Sequence, residues 1–183
     1  TETSLPCMFS PYGRRDYDEK KIRSSQSLLQ VLDRAGYAVN WRDNQTGCKG
    51  VCTDLPYQQV DVGQADCEPG QCPDEKLLAG LEDGLRSAPG DTPLPGRVVV
   101  LHQLGNHGPA YFRRYPASFR HFEPACETVD LRQCPVADIV NAYDNALRYT
   151  DHVLAEAIRM LQRLSDRYDT ALLYVSDHGE SLG

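Results

Sequence analysis

Two short apolar runs, separated by one long helical pattern, most constrain the fold of this chain. The first, Arg-Val-Val-Val-Leu at residues 97–101, is unbroken and rich in β-branched side chains, and a second apolar run occupies residues 171–175. Such runs suit strands that are buried on both faces. Residues 138–168 carry apolar side chains at helical spacing. Strands that alternate with helices predict an α/β domain with a largely parallel sheet.

Weaker patterns predict the remaining elements. Residues 24–35 predict a helix that ends at Gly36, with one apolar side made of Leu28, Leu29, Val31 and Leu32. Residues 37–41 predict a short strand, and residues 44–72 have the composition of a loop. Residues 74–85 predict a short helix that a Ser-Ala-Pro-Gly segment closes, and residues 91–96 predict a connection. The 183 residues suit one domain with one core.

The charge of the chain argues against a nucleic-acid partner. The net charge is −7, and no run of Lys or Arg is long enough to form the basic face that a duplex binder needs. No stretch approaches the roughly 20 apolar residues that span a bilayer, and no signal peptide is visible. Because the chain starts at Thr1 and stops just after a turn signal, we expect it to be part of a longer protein.

Six of the seven cysteines form three closely spaced pairs within Gly- and Pro-rich segments. Zinc knuckles are one interpretation, but no histidine flanks the pairs at ligand spacing and the gaps between pairs are irregular. Disulfides that close loops in an oxidising compartment are the favoured interpretation. Cys7 is then unpaired, as expected if its partner precedes Thr1.

Polar residues follow both apolar runs, and ligands of parallel sheets bind beyond the carboxyl ends of the strands. Asp177 and His178 suit zinc or manganese, although a capping aspartate beside a surface histidine fits the same letters. His107, in the rigid segment Gly-Asn-His-Gly-Pro, could bind a metal, bind a phosphate, protonate a leaving group or make only local hydrogen bonds. We expect structural roles for the other histidines, His102, His121 and His152.

Two further residues have competing interpretations. An N-terminal threonine can act as a nucleophile with its own amine as base, but this needs Thr1 to be the mature terminus, which the unpaired Cys7 argues against. Glu180 could orient a metal ligand or lie in the first turn of a helix, and the helix interpretation is favoured.

The segments "PCMFSPYGRRDYD", "WRDNQTGCKG", "VLHQLGNHGPAYFRRYP", "IVNAYDNALRYTD" and "YVSDHGESLG" together resemble the lipid A phosphoethanolamine transferases, a family that includes the mobilised colistin-resistance enzymes. The resemblance covers the whole chain. It implies an alkaline phosphatase/sulfatase-like α/β/α sandwich, with residues 1–183 as part of one periplasmic catalytic domain. The family also has an N-terminal region in the bacterial inner membrane.

The resemblance also implies an activity. The family moves phosphoethanolamine from phosphatidylethanolamine to a lipid A phosphate, which weakens the binding of polymyxins such as colistin. The implied nucleophile is Thr1, and the implied zinc ligands are Thr1, Asp177 and His178. His107 is implied to lie at the substrate phosphate or at a second metal, and Asn44 and Lys49 to contact the donor head group. Close relatives have a second asparagine at the position that Gln45 occupies in this chain.

Two family elements have no counterpart in this chain, a zinc-binding glutamate before the threonine and a histidine after "SDHGESLG". Hence a catalytically incompetent fragment is an alternative, beside a phosphodiesterase or sulfatase-type hydrolase on the same fold. An N-terminal-threonine amidohydrolase is a more distant one. We predict three bridges that each close a short loop: Cys48–Cys52, Cys67–Cys72 and Cys126–Cys134.

Overall fold

The computed structural model describes residues 2–60, 67, 72–87 and 95–182. Within these ranges the helices and strands, in chain order, are α1 (Ser4–Met8), α2 (Glu19–Ser24), α3 (Leu28–Arg34), β1 (Ala38–Asp43), β2 (Tyr57–Gln59), α4 (Leu81–Ser87), β3 (Arg97–His102) and α5 (Val136–Arg163). Short 3₁₀ turns precede α4 and lie between β3 and α5. The segments that were predicted to close and follow the helix of residues 74–85 lie largely outside the described residues.

The three strands form one parallel sheet in the order β2-β1-β3, which confirms the predicted α/β class with a parallel sheet. The register pairs Asp43, the last residue of β1, with His102, the last residue of β3. β1 begins one residue later and ends two residues later than the predicted strand, and β2 lies in a segment that was predicted to be loop throughout. The side chains of β3 are half-buried rather than buried on both faces.

The chain divides into two compact units. The first contains residues 2–60, 95–102 and 174–179 of the described chain, with the sheet and helices α1 to α3. Its core surrounds Trp41, which is fully buried, and includes Leu5, Leu29, Val39, Val51 and Cys52. The second unit contains residue 67 and residues 72–87, 103–173 and 180–182. The assignment of residues 1–183 to one domain stays a prediction.

The second unit is built on α5. Tyr111, Cys126, Ile139 and Ala142 form its buried cluster. Asn145, which is fully buried on α5, accepts the backbone N–H groups of His121 and Phe122, both at 2.8 Å. Its amide also donates to the Phe122 carbonyl at 2.9 Å. These bonds fasten the preceding loop to the helix, because an amide side chain can donate and accept at once.

Several predicted helix bounds were wrong for local reasons. The predicted helix 24–35 is split, because Ser27 and Gln30 form a capping box that starts α3 at Leu28. Leu29 is buried, whereas Leu28 and Val31 are exposed, so only part of the predicted apolar side faces the core. The predicted helix 74–85 is also two pieces, which Gly80 separates at a φ of +66°. α5 ends at Arg163, five residues before the predicted end.

The second predicted strand, residues 171–175, was wrong. The segment has no strand pairing, and its residues are exposed, with Leu173 at 91%. An apolar run becomes a strand only when another strand takes its backbone hydrogen bonds. The structure shows no such neighbour within the described residues.

The three predicted disulfides are present, between Cys48 and Cys52, Cys67 and Cys72, and Cys126 and Cys134. Cys7 is the free cysteine of the chain, as predicted. Cys52, Cys72 and Cys126 are buried, so each bridge fastens its loop to packed structure. Within the described ranges, no helix has the length and apolar character that crossing a membrane requires.

Candidate active site

The carboxyl edge of the sheet is organised by Asp43, which is fully buried. One carboxylate oxygen lies 2.6 Å from Nδ1 of His102 and accepts the indole N–H of Trp41 at 3.0 Å. The other accepts the backbone N–H groups of Gln45 and Gly47, both at 3.0 Å. Burial raises the pKa of Asp43, but hydrogen bonds from His102, Trp41 and Gly47 outweigh burial and lower it to about 2. Asp43 is therefore a charged acceptor that fixes the start of the following loop.

His102 has a structural role, as predicted. Its Nδ1–H donates to Asp43, and its ring meets Trp41 edge-on at a centroid distance of 5.2 Å. His152 is also structural, because its Nε2 lies 2.9 Å from Glu75 and its ring contacts Phe119. His121 lies on the surface beside Phe122, again as predicted.

The two residues that were predicted to contact the donor head group, Asn44 and Lys49, lie in the loop that Asp43 fixes. Asn44 is buried, and its backbone N–H donates to the His102 carbonyl at 3.0 Å. The Lys49 ammonium lies 2.6 Å from a carboxylate oxygen of Glu2 and donates to the carbonyl and hydroxyl of Thr46 at 3.0 and 2.8 Å. Lys49 also follows Cys48 directly, so the Cys48–Cys52 bridge holds its backbone.

Asp177 and His178 turn toward each other, although adjacent residues of a regular strand point to opposite faces. Nε2 of His178 lies 3.6 Å from Oδ1 of Asp177. Nδ1–H of His178 donates to the Gly179 carbonyl at 2.8 Å. In a neutral imidazole with Nδ1 protonated, Nε2 is the nitrogen that has the lone pair. The second oxygen of Asp177 accepts the Ser4 hydroxyl at 3.4 Å, so the start of α1 meets this pair.

This geometry fits zinc. Two ligands that each lie about 2.0–2.1 Å from one tetrahedral ion are about 3.3 Å apart, close to the observed separation. A backbone carbonyl on the other ring nitrogen is the usual support of a ligating histidine. Asp177 and His178 supply two ligands, whereas a catalytic zinc site takes three from the protein and a structural one takes four. Across the described ranges, no group of three or more His, Cys, Asp or Glu side chains could hold a metal ion.

His107 belongs to the second unit and is exposed in the segment after β3. Its Nδ1–H donates to the Gly108 carbonyl at 2.7 Å, and its own carbonyl accepts the Nε–H of Arg114 at 2.7 Å. Asp74, which is buried, accepts the backbone N–H groups of Leu104 at 2.9 Å and Gly105 at 2.7 Å. The loop that carries His107 is thus fastened just before the histidine and at the carbonyl of the histidine itself.

Thr1 lies outside the described residues, so its predicted role stays a prediction. Glu180 does not lie in a helix, and the favoured helix-turn interpretation was wrong. Its carboxylate instead forms a hydrogen bond with the buried Tyr111 hydroxyl. Burial first, and then Glu180, raise the pKa of Tyr111 to about 12.

The sequence interpretation missed the residues that position the site: Glu2, Asp43, Asp74 and Arg114. One signal for Asp43 was available. Residues i and i+2 of a strand share a face, so Asp43 lies on the same face as Trp41 if the strand continues past residue 41. An acid on the buried face at a strand's carboxyl end indicates a polar network. No local pattern indicates the contacts of Asp74, because they join residues thirty positions apart.

A family profile described as "Sulfatase" matches residues 1–183, the entire chain. The chain belongs to the sulfatase family. This sulfatase-family chain is also 43% identical over its full length to "Phosphoethanolamine transferase EptA" of Salmonella typhimurium and to "Phosphatidylethanolamine transferase Mcr-1" of Escherichia coli. It spans 33% and 35% of those two proteins, about a third of the length of the curated relatives it matches.

Solved structures agree with the family assignment. The sulfatase-family chain superposes on the soluble domain of lipooligosaccharide phosphoethanolamine transferase A from Neisseria meningitidis with a TM-score of 0.80 and 38% identity, over 90% of this chain and 48% of that one. It superposes on the C-terminal periplasmic domain of phosphoethanolamine transferase EptC from Campylobacter jejuni with a TM-score of 0.84 and 38% identity, over 100% of this chain and 55% of that one. The predicted resemblance and the sulfatase-like fold are confirmed.

Proposed function

We propose that the protein containing this chain transfers phosphoethanolamine from phosphatidylethanolamine to a lipid A phosphate, with a zinc-dependent site that contains Thr1. The observation that carries the proposal is the 43% identity, along the whole chain, with proteins named as phosphoethanolamine and phosphatidylethanolamine transferases. The mutual approach of Asp177 and His178 supports it, because this pair has the spacing of two zinc ligands.

Zinc would be held by Asp177, His178 and Thr1, and it supplies positive charge that lowers the pKa of a neighbouring hydroxyl and offsets charge on phosphoryl oxygens. Ser4 supports the inclusion of Thr1, because it follows Thr1 by three residues and donates a hydrogen bond to Asp177.

The proposed reaction has two displacements at phosphorus. The Thr1 hydroxyl oxygen forms a bond to the donor phosphorus while the bond to the glycerol oxygen breaks, and diacylglycerol leaves with a proton. An oxygen of the lipid A phosphate then attacks the phosphorus of the phosphoethanolamine-threonine intermediate. A P–O–P bond forms while the bond to the threonine oxygen breaks, and that oxygen takes a proton from the lipid A phosphate. His107 would stabilise the phosphoryl oxygens or protonate the departing glycerol oxygen.

We further propose that this domain works in the periplasm, attached to the inner membrane by a preceding region of the protein. Three disulfides support an oxidising compartment. The name of the matching Campylobacter jejuni structure, a C-terminal periplasmic domain, supports the same location.

Replacement of the nucleophile tests the proposal. In the full-length enzyme, Thr1→Ala should abolish both the transfer of labelled phosphoethanolamine to lipid A and the protection of cells against polymyxin. Thr3→Ala is the matched control, because Thr3 precedes α1 without a side-chain capping bond. Full protection by Thr1→Ala would contradict the nucleophile assignment.

The sulfatase family profile favours one rival, a hydrolase that uses water as acceptor. The same labelled donor separates the two functions. Transfer gives labelled lipid A, whereas free phosphoethanolamine as the sole product would establish the hydrolase.

A further inference from the structure

The ammonium group of Lys49 already has a full set of hydrogen-bond acceptors. A lysine ammonium has three N–H donors. Within the described part of the chain, three oxygen atoms take them: the Thr46 carbonyl, the Thr46 hydroxyl and one Glu2 carboxylate oxygen. The Lys49 side chain is only 13% exposed, so water cannot easily replace these contacts. A substrate phosphate can therefore reach Lys49 only by taking the place of one of them.

Glu2 is the acceptor that a phosphate can replace. Both Thr46 contacts lie within the loop that carries Lys49, and Asp43 holds that loop through the Gly47 N–H. Glu2 comes from a separate segment, and its side chain is 73% exposed. An ion pair with one exposed partner contributes little net stability, so its exchange for another anion costs little.

When a substrate phosphate replaces Glu2 at Lys49, the Glu2 carboxylate is left unpaired beside the negatively charged phosphate. Arg23 is the other side-chain cation whose charge acts on Glu2, and it is bonded to Glu19 at 2.8 Å. A head group that carries its own cation resolves the conflict, because its ammonium can pair with Glu2 while its phosphate pairs with Lys49. Phosphoethanolamine has this charge arrangement, and phosphoglycerol lacks the ammonium.

We propose that Glu2 determines donor specificity, by pairing with the ammonium of a zwitterionic head group whose phosphate displaces Glu2 from Lys49. This inference rests on the proposed function, because it assigns the head group to the same site. In the bound state the Glu2 carboxylate contacts the ammonium of the head group, and the Lys49 ammonium contacts its phosphate.

Binding titrations of the full-length enzyme test this without turnover. The probes are glycerophosphoethanolamine and glycerophosphoglycerol, which share the phosphate and differ in the ammonium. We expect the wild type to bind the first about tenfold more tightly, the size of one charge-assisted hydrogen bond. Glu2→Gln should reduce this ratio to about one, because glycerophosphoethanolamine loses the partner of its ammonium and glycerophosphoglycerol no longer lies beside an unpaired carboxylate. Glu2→Asp should restore part of the ratio. Lys49→Gln should weaken both probes alike, because both carry the phosphate that Lys49 binds.

Glu19→Gln is the matched control, since it removes the same charge from an exposed acid that pairs with Arg23, and it should leave the ratio unchanged. An unchanged ratio in Glu2→Gln would overturn the proposal. So would tighter binding of glycerophosphoethanolamine by that variant, which would show that Glu2 merely competes for Lys49. A wild type that binds both probes as expected but transfers nothing from phosphatidylethanolamine would refute the proposed function and leave the selectivity standing.

Discussion

Oδ1 of Asp43 lies 2.6 Å from Nδ1 of His102, at the point where two neighbouring parallel strands end together. This contact joins the last residues of β1 and β3. The same carboxylate also fixes the backbone of the loop that carries Asn44 and Lys49. One buried acid thus ties the sheet edge to the segment that we propose binds the donor.

Asp43→Asn should lower the free energy of unfolding of the first unit and weaken the dependence of that free energy on pH in acid. The folded-state pKa of about 2 is below the ordinary value of 3.8, so the ionised carboxylate stabilises the fold. This stability is present above pH 3.8 and is lost as the pH falls through about 2. At neutral pH the loss should be about 2 kcal/mol in the free energy of unfolding, measured by urea denaturation.

The control for this variant is Asp33→Asn, which removes the same charge from an exposed position on α3. It should leave both the free energy and its acid slope close to wild type. If the free energy of unfolding of Asp43→Asn depends on acid pH as strongly as that of the wild type, a group other than Asp43 causes this dependence.

Asp74→Asn should slow the reaction while preserving the fold. Asp74 accepts two backbone N–H groups just before His107, and an asparagine amide would place a donor against one of them. We expect a rate about tenfold lower in single-turnover transfer, since one hydrogen bond in the supporting loop is lost. Glu75→Gln is the matched control, because the adjacent Glu75 contacts Tyr149 and His152 of α5 instead. Equal rates for both variants would argue against a positioning role for Asp74.

Replacing both Cys48 and Cys52 with Ser should lower stability and weaken donor binding together. The bridge closes a loop of five residues, for which chain entropy predicts about 2 kcal/mol. Lys49 lies inside that loop, so its backbone loses a restraint. The measurements are thermal unfolding and the Michaelis constant for phosphatidylethanolamine. Thiol titration of residues 1–183, produced alone and denatured without reduction, should find one free thiol, Cys7, and a higher number would contradict the bridges.

The sequence predicted the local features of this fold more successfully than its long-range contacts. The first apolar run became β3, because β1 supplies it with a parallel partner, whereas the run at residues 171–175 has no strand beside it among the described residues. Both runs are short and mostly apolar, so hydrophobicity alone could not separate them. Pairing depends on residues far away in the chain, which a window of sequence does not contain.

The candidate site shows the same difference between local features and long-range contacts. The three bridges were predicted correctly from closely spaced cysteines. The roles of Asp177, His178 and Lys49 were predicted from motifs and stay predictions. The partnership of Glu2 with Lys49 and that of Asp74 with the His107 loop join distant segments, and only the folded chain brings them together. Predictable positions therefore carry the proposed chemistry, while the residues that hold them required the structure.

Gly108→Ala should disturb the loop of His107 through a steric clash. A Cβ at this position would lie 2.6 Å from the Tyr111 hydroxyl oxygen and 2.8 Å from Cζ of the same ring. The Tyr111 ring is only 2% exposed and packs in the core of the second unit, so it cannot move away. Overpacking of this kind costs about 1–3 kcal/mol, and the adjacent His107 should be displaced. We expect a lower melting temperature by calorimetry together with slower transfer. Gly13→Ala is the control, because a Cβ there meets nothing within 4 Å, and a normal melting temperature in Gly108→Ala would show that Tyr111 yields.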